Sequence, residues 1–568
     1  MDPSFIPIFE VLATRLDTMG VFTKVVKFLE VKPKGEAYSA HPPTRWGNRD
    51  IYPIIAAERT YQWYDFFAYW FTAGIALSGW TLGSSLVAIG LTAGQALGAV
   101  LLGASFASLN AFLCGEMGRQ HYIGYTMMGR ATWGLYGSYL CIFLSVVQSL
   151  IYFGIQAVYG GQATVLLLNA IFPSFLRMKN TLPASAGITT TDLIGFLVFM
   201  AIFAPIVAVP PHKLGKLLLP VFICTCVTFA GVLGWALHAN GGPGNLVAPA
   251  IAITPLANRY AFVSGISQVA GAYTGGSVRL SDWTRFTATP QAPRVGMVIA
   301  QPLSLTIGAL VGVLVTSATY ELVLEWNPLL LLQYVQTIQY TPACRAGTFF
   351  AGLGFFASQL FVNLTQNCVS TGMDLAGSLP RFITLRRGGF IVCIVGVVIQ
   401  PWRFLGSAAT FLSVIGTFAV FLAPMTAILV TDYWLIRRRK VKIPDLYRAD
   451  GIFWYNYGLN WKAFLVFFCC IAPSFPGLIN SVNGMHISIG LQHFFSCTYF
   501  FGYTSAVLLF WGISTIFPPP GNRIMEKMDD DLIEGVGPTD LEVASIRGSQ
   551  LEGVEKAVAT PEVKSVAT

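Results

Sequence analysis

The chain has 568 residues, of which 54% are hydrophobic and only 11% charged, with a formal net charge of +8. A soluble domain carries about 25% charged residues. Lipid, not water, must therefore surround most of this chain, which excludes a soluble globular domain.

In chain order, residues 1–64 read as a cytosolic tail carrying Lys24, Lys27, Lys32, Lys34, Arg45 and Arg49. The first 20 residues hold no long apolar core and no small-residue cleavage site, so the first membrane helix is expected to act as its own signal. A bilayer core takes about 20 residues of helix. Apolar stretches of that kind lie near 65–89, 95–115, 136–165, 192–210, 215–238, 260–280, 296–320, 346–370, 388–402, 405–431, 461–480 and 493–516. The expectation is an all-α polytopic membrane protein of about twelve spans, because helices satisfy their own backbone in lipid. The roughly ten-residue alternating segments of a β-barrel are not seen. Residues 517–568, with Asp529, Asp530, Asp531 and Glu534 among small polar residues, read as a second cytosolic tail.

Lys and Arg in short loops set the direction. With the N-terminus inside, the inner loops hold Arg119 and Arg130, then His212-Lys213 with Lys216, then Arg285 and Arg294. Arg381 with Arg386-Arg387, and the run Arg437-Arg438-Arg439-Lys440 with Lys442, complete them. The outer loops hold only scattered Arg177, Lys179, Arg259, Arg345 and Arg403. Both termini are thus expected in the cytosol. The positive net charge reflects this bias and does not suggest nucleic-acid binding.

Several spans carry features that apolar helices do not need. Helix one has Gly74, Gly79 and Gly83 around Ser78, Trp80, Ser84 and Ser85, and helix six has Gly265, Gly271, Gly275 and Gly276 around Tyr273 and Thr274. Matched glycine interruptions point to an inverted repeat with a site at the breaks. Close helix packing is the alternative. Helix three places Gln148, Tyr152 and Gln156 on one face at i, i+4 and i+8. Helix eight offers Gln359, Asn363, Gln366 and Asn367. Polar groups in lipid usually face a cavity, although amides also serve as glue between helices. An aromatic face with an amide suits a flat heterocycle, by stacking and by paired donor and acceptor.

The cysteines, including Cys141, Cys224, Cys226, Cys393, Cys469 and Cys470, sit mostly in apolar runs and read as small packing residues. Asn363-Leu364-Thr365, a glycosylation-type triplet, lies in an apolar stretch and is not expected to be modified. No nucleophile–base pair or metal motif shares a face, so no enzyme, cofactor or metal site is expected.

Motifs along the chain resemble one family. They are NRDIYP…ERTYQW (48–63), YFGIQAVYGG (152–161), SDWTRF (281–286), QLFVNLTQNCVSTGMDLAGSLPRFITLRRG (359–388) and TDYWLIRRR (431–439). Together they resemble nucleobase–cation symporter family one, in its fungal uracil and allantoin permease branch, over about residues 45–450. The resemblance implies a leucine-transporter-like fold. Residues 65–238 and 260–431 would form two inverted five-helix halves, and 461–516 two peripheral helices. It implies substrates such as uracil, allantoin, cytosine, hydantoins, uridine, thiamine or nicotinamide riboside. By position its pocket falls on Tyr152 and Gln156 of helix three, Tyr273 of helix six and Asn367 of helix eight.

Departures from the family bear on substrate and coupling. Both aromatic positions are Tyr where better-known members have Trp. The sodium-coupled bacterial relatives carry a Ser-Thr pair where this chain has Phe361 and Val362. Arg279 stands where relatives often have Asn. Proton-coupled uptake at the plasma membrane is the leading expectation. Asp374 is the first candidate acid and Asp282 the second, the latter alternatively pairing with Arg279 or Arg285. A sodium-coupled or facilitative carrier, or a nutrient sensor on the same fold, remains open on the sequence.

Overall fold

Threonine and serine mark where helices begin. In a computed structural model of the chain, Thr92, Thr254, Thr341, Thr384 and Ser407 each precede a helix and accept a backbone N–H of its first turn. These N–H groups have no partner within the helix. The structure describes residues 26–31, 44–209, 211–246 and 253–528. Lys24, Lys32, Lys34, Asp529, Asp530, Asp531 and Glu534 lie outside the described residues, as do the side chains of His212, Lys213 and Lys216.

Among the described residues nine helices are long and apolar enough to cross a membrane, or up to ten if one bent pair is a single span. The pair is helix one, Trp63–Gly74 and Leu77–Ala88, bent by 40°. Helices two and three are Ala93–His121 and Ser138–Ile171. Helices four and five are Ala184–Ile206 and Leu219–Asn240. Helix seven is Ala292–Ala318, helix eight Pro342–Ser378 and helix ten Ala408–Ile436. Helices eleven and twelve are Trp461–Asn483 and Thr498–Ile516. The stretches of the other two expected spans are helical, as Pro255–Val278, helix six, and the shorter Leu385–Val398, helix nine, but neither is among these nine. Helix six packs between helices two and ten, and helix three between helices four and eight. Helix twelve lies against helices ten and eleven.

The matched interruptions hold for helix one only. There Ile75 and Ala76 leave the helix, and Ala76 is extended at φ −133°, ψ 168°. Helix six instead runs unbroken through Gly265, Gly271, Tyr273, Gly275 and Gly276, and stops at Arg279 before a short turn, Ser281–Thr284. Its glycines serve close packing. A Cβ on Gly271 would lie 2.7 Å from the Ala419 Cβ, and one on Gly275 would lie 1.5 Å from Gln148 Oε1. Two irregularities face helix one: a π-helical turn at Gly296–Ala300 in helix seven, and a wider one at Asn363–Val369 in helix eight. Asn363 is fully buried there, which keeps the glycosylation-type triplet out of reach.

Gly275 therefore carries a testable load. Gly275→Ala should destabilise the protein by about 1–3 kcal/mol through overpacking. Because the clash is with one side chain, Gly275→Ala/Gln148→Ala should recover part of that loss. Thermal unfolding of the detergent-purified proteins reads both; equal melting temperatures for Gly275→Ala and the parent would contradict the packing account.

Candidate functional site

Helix three carries the site's first wall. Gln148 Nε2 donates to the Ala272 carbonyl of helix six at 3.3 Å. Tyr159 Oη donates to Thr81 Oγ1 on the second half of helix one, Leu77–Ala88, at 3.3 Å. Between these two tethers lie Tyr152 and Gln156. The Tyr152 ring packs on Phe418 of helix ten, with centroids 5.5 Å apart, and Tyr273 and Tyr159 are its neighbouring phenols. Gln156 is buried and its Oε1 has no hydrogen-bond partner. The Tyr273 hydroxyl lies beside Ser78, just past the break in helix one, yet makes no hydrogen bond of normal geometry.

Helix eight forms the facing wall, and its amides divide by task. Asn363 Nδ2 donates to the Phe153 carbonyl of helix three at 3.1 Å. Asn367 Nδ2 donates to Asn363 Oδ1 at 3.0 Å. Asn363 is thus interhelical glue, and it braces Asn367. Gln366, one residue earlier, turns instead towards helix one, where Tyr69 Oη donates to its Oε1 at 3.1 Å. The structure brings Tyr152 and Tyr273 together, leaves Gln156 an open acceptor beyond them, and holds Asn367 by a single amide bond. Sequence reasoning missed Tyr69. Its signal was weak, a tyrosine in an aromatic-rich helix, and Gln366 shows its partner only once the helices are placed.

Beneath this wall sits a buried charge cluster. Asp374 is fully buried; its Oδ2 lies 3.4 Å from Arg279 Nη1, and its Oδ1 has no partner. Arg279 also donates from Nε to the Gly275 carbonyl at 2.9 Å and from Nη1 to Ser149 Oγ. Pairing with Arg279 or Arg285 was the alternative role for Asp282; Arg279 bonds Asp374, because it projects from the end of helix six towards helices three and eight. Asp282 accepts the Tyr125 N–H at 2.8 Å, capping the helix Tyr125–Trp133, while its Oδ2 stays free. Burial pushes the Asp282 carboxyl above the ordinary range, against the nearby Arg285 and Arg279 charges, which lower it. Arg285 reaches the Asp50 carbonyl at 2.9 Å and Met373 Sδ at 3.4 Å. The cluster therefore balances two acids with two guanidinium groups. Phe361 and Val362 are both buried and supply no side-chain oxygen.

Residues 53–502 match the family described as permease for cytosine/purines, uracil, thiamine, allantoin. The chain belongs to this permease family. It is 32% identical over 547 residues to the transporter aclS of Aspergillus oryzae, covering 85% of this chain and 88% of that protein. It is 28% identical over 503 residues to nicotinamide riboside transporter 1 of Saccharomyces cerevisiae, covering 88% and 83%. The allantoin permease of the same yeast is 29% identical over 492 residues, covering 84% and 77%. The fold matches that of Mhp1, a nucleobase-cation-symport-1 family transporter solved in a closed conformation with bromovinylhydantoin bound. The TM-score is 0.68 at 20% identity, over 86% of this chain and 99% of Mhp1. The chain is a polytopic helical membrane transporter and not an enzyme.

Removing one partner of a buried ion pair leaves an uncompensated charge, at about 3–5 kcal/mol. Arg279→Ala should therefore lower the melting temperature of the purified permease sharply. Arg279→Ala/Asp374→Asn should regain much of it, since the stranded charge is gone. A single mutant as stable as the parent would show that Arg279 and Asp374 do not depend on each other.

Proposed function

We propose that this permease takes up a small planar heterocycle in symport with protons, across the plasma membrane, with both termini cytosolic. Residues 65–238 and 260–431 are its two inverted halves, and 461–516 its peripheral helices. Related proteins bear the names allantoin permease, uridine permease, thiamine transporter and nicotinamide riboside transporter. All of these compounds contain a flat, nitrogen-containing ring. The pocket is Tyr152, Gln156, Tyr273 and Asn367. Gln156 carries the proposal: a buried amide oxygen without a partner, on the helix face that bears Tyr152. An unpaired buried acceptor is costly to keep, and an N–H on a heterocycle would complete it. The two phenols supply flat faces for the same ring.

If Gln156 binds the ring edge, its loss removes a buried hydrogen bond worth about 1–3 kcal/mol. Gln156→Ala should then weaken apparent affinity by roughly tenfold or more while reaching the cell surface. Unchanged affinity for a radiolabelled substrate in cells lacking their own importers would remove Gln156 from the pocket.

Coupling to protons rests on the apolar pair Phe361 and Val362 and on two buried acids that each keep one oxygen unbonded. Asp374 is the first carrier of the proton and Asp282 the second. Uptake should persist when choline replaces sodium and should fall as external pH rises. Asp374→Asn should flatten that pH dependence. Collapse without sodium, with indifference to pH, would overturn proton coupling; an unaltered pH profile in folded Asp374→Asn would move the role to Asp282.

A further inference from the structure

Gln359 stands apart from the other amides of helix eight. It is fully buried, and neither its amide nitrogen nor its amide oxygen has a hydrogen-bond partner. Asn363, Gln366 and Asn367 are all bonded. An amide acting as glue would be bonded likewise. An apolar side chain of the same size would leave nothing unmade.

Its position follows from contacts on either side of it. Helix eight runs antiparallel to helix one: Phe355 meets Trp80 with centroids 6.2 Å apart, and Gln366 meets Tyr69. Between those two contacts, Gln359 lies level with Ala76, where helix one breaks. Helix eight also runs antiparallel to helix three: Asn363 bonds Phe153, and a Cβ on Gly352 would lie 3.3 Å from the Ala163 carbonyl. By that register Gln359 lies level with Gln156, whose Oε1 is also unpaired.

At Ala76 the second half of helix one, Leu77–Ala88, begins without a side-chain cap, and Ala76 and Leu77 are fully buried. The first-turn N–H groups have no intrahelical acceptor, and this end of the helix is electropositive. We propose that Gln359 and this helix end, next to the ring-binding Gln156, form a subsite for a neutral polar substituent on the transported ring, one that both donates and accepts hydrogen bonds. A ureide, a carboxamide or a sugar hydroxyl has that character. A carboxylate would satisfy the donors but face the Gln359 and Gln156 carbonyl oxygens. The inference rests on the pocket proposed above and extends it from the ring to what the ring carries.

The test uses the full-length chain in cells without their own importers, with two matched probe pairs. Allantoin is compared with hydantoin, and uridine with uracil; each pair differs by the polar substituent alone. Wild type should prefer the substituted member of at least one pair. Gln359→Met should weaken that member about tenfold and its unsubstituted partner less than twofold. It should also keep or raise the melting temperature of the purified protein, because no bond is lost. Equal weakening of both members would overturn the subsite, as would a lowered melting temperature. No change for either would show an ordered water to be the only occupant, and would overturn it too. Uptake by wild type of none of the four probes, nor of thiamine or nicotinamide riboside, would instead overturn the function reading, and is told apart because it needs no variant.

Discussion

Lipid tails neither donate nor accept hydrogen bonds, so every polar group this bundle buries must find its partner inside it. Most do. Ser84 donates to the Trp326 carbonyl at 2.7 Å, and Asn169 donates to Gln336 at 3.1 Å. Asn327 donates to Gln162 at 2.8 Å. These pairs tie helices to one another and to the loop before helix eight. Against that background the unpaired atoms carry meaning. Gln156 Oε1, Tyr273 Oη and both amide atoms of Gln359 gather on helices three, six and eight around the break in helix one. Buried polar atoms stay unbonded elsewhere too, Trp133 Nε1, Asn169 Oδ1 and Ser514 Oγ among them, but this group lies on the helices that carry the proposed pocket, where a solute would complete it.

The same constraint explains why the irregular backbone is where it is. Gly74, the last helical residue before the break, has no room for a side chain: a Cβ there would lie 2.1 Å from Ser304 Oγ. Helix seven thus presses on helix one at the break, and Ser304 donates to the Trp70 carbonyl at 3.0 Å, close to carbonyls that the break frees. In helix eight the π-helical turn widens the backbone across Asn363–Val369. It lets Gln366 face helix one while Asn363 and Asn367 stay on the side of helix three. A regular helix would not turn four amides towards two walls so readily.

Spans, their order and the polar face of helix three were legible because they depend on local pattern: apolar length, capping residues and the i, i+4 period. Helix six was misjudged because glycine has two uses that look alike in one dimension. Gly271 and Gly275 answer Ala419 and Gln148, residues remote in the chain, and only the packed structure tells close approach from a break. The partner of Arg279 was hidden for the same reason. Asp282 is near in sequence, but the guanidinium leaves the end of helix six on the side of Asp374. The roles of Gln359, Asn363, Gln366 and Asn367 likewise could not be separated by spacing, since a π-helical turn resets which face each one occupies.

Arg279 joins the proposed binding site to the proposed coupling site. Its Nε holds the Gly275 carbonyl, two residues beyond Tyr273, and its Nη1 faces Asp374, seven residues beyond Asn367. If Asp374 carries the proton, protonation removes the one carboxylate that pairs with that guanidinium among the described residues. The arginine is then left buried on neutral partners, Ser149 and the Gly275 carbonyl, which is a costly state for a charge. In this proposal relief comes from a shift of helix six relative to helix eight, towards Asp282 or towards water. Either movement displaces the end of the helix that carries Tyr273. Proton binding and ring binding, in this proposal, act on one helix end.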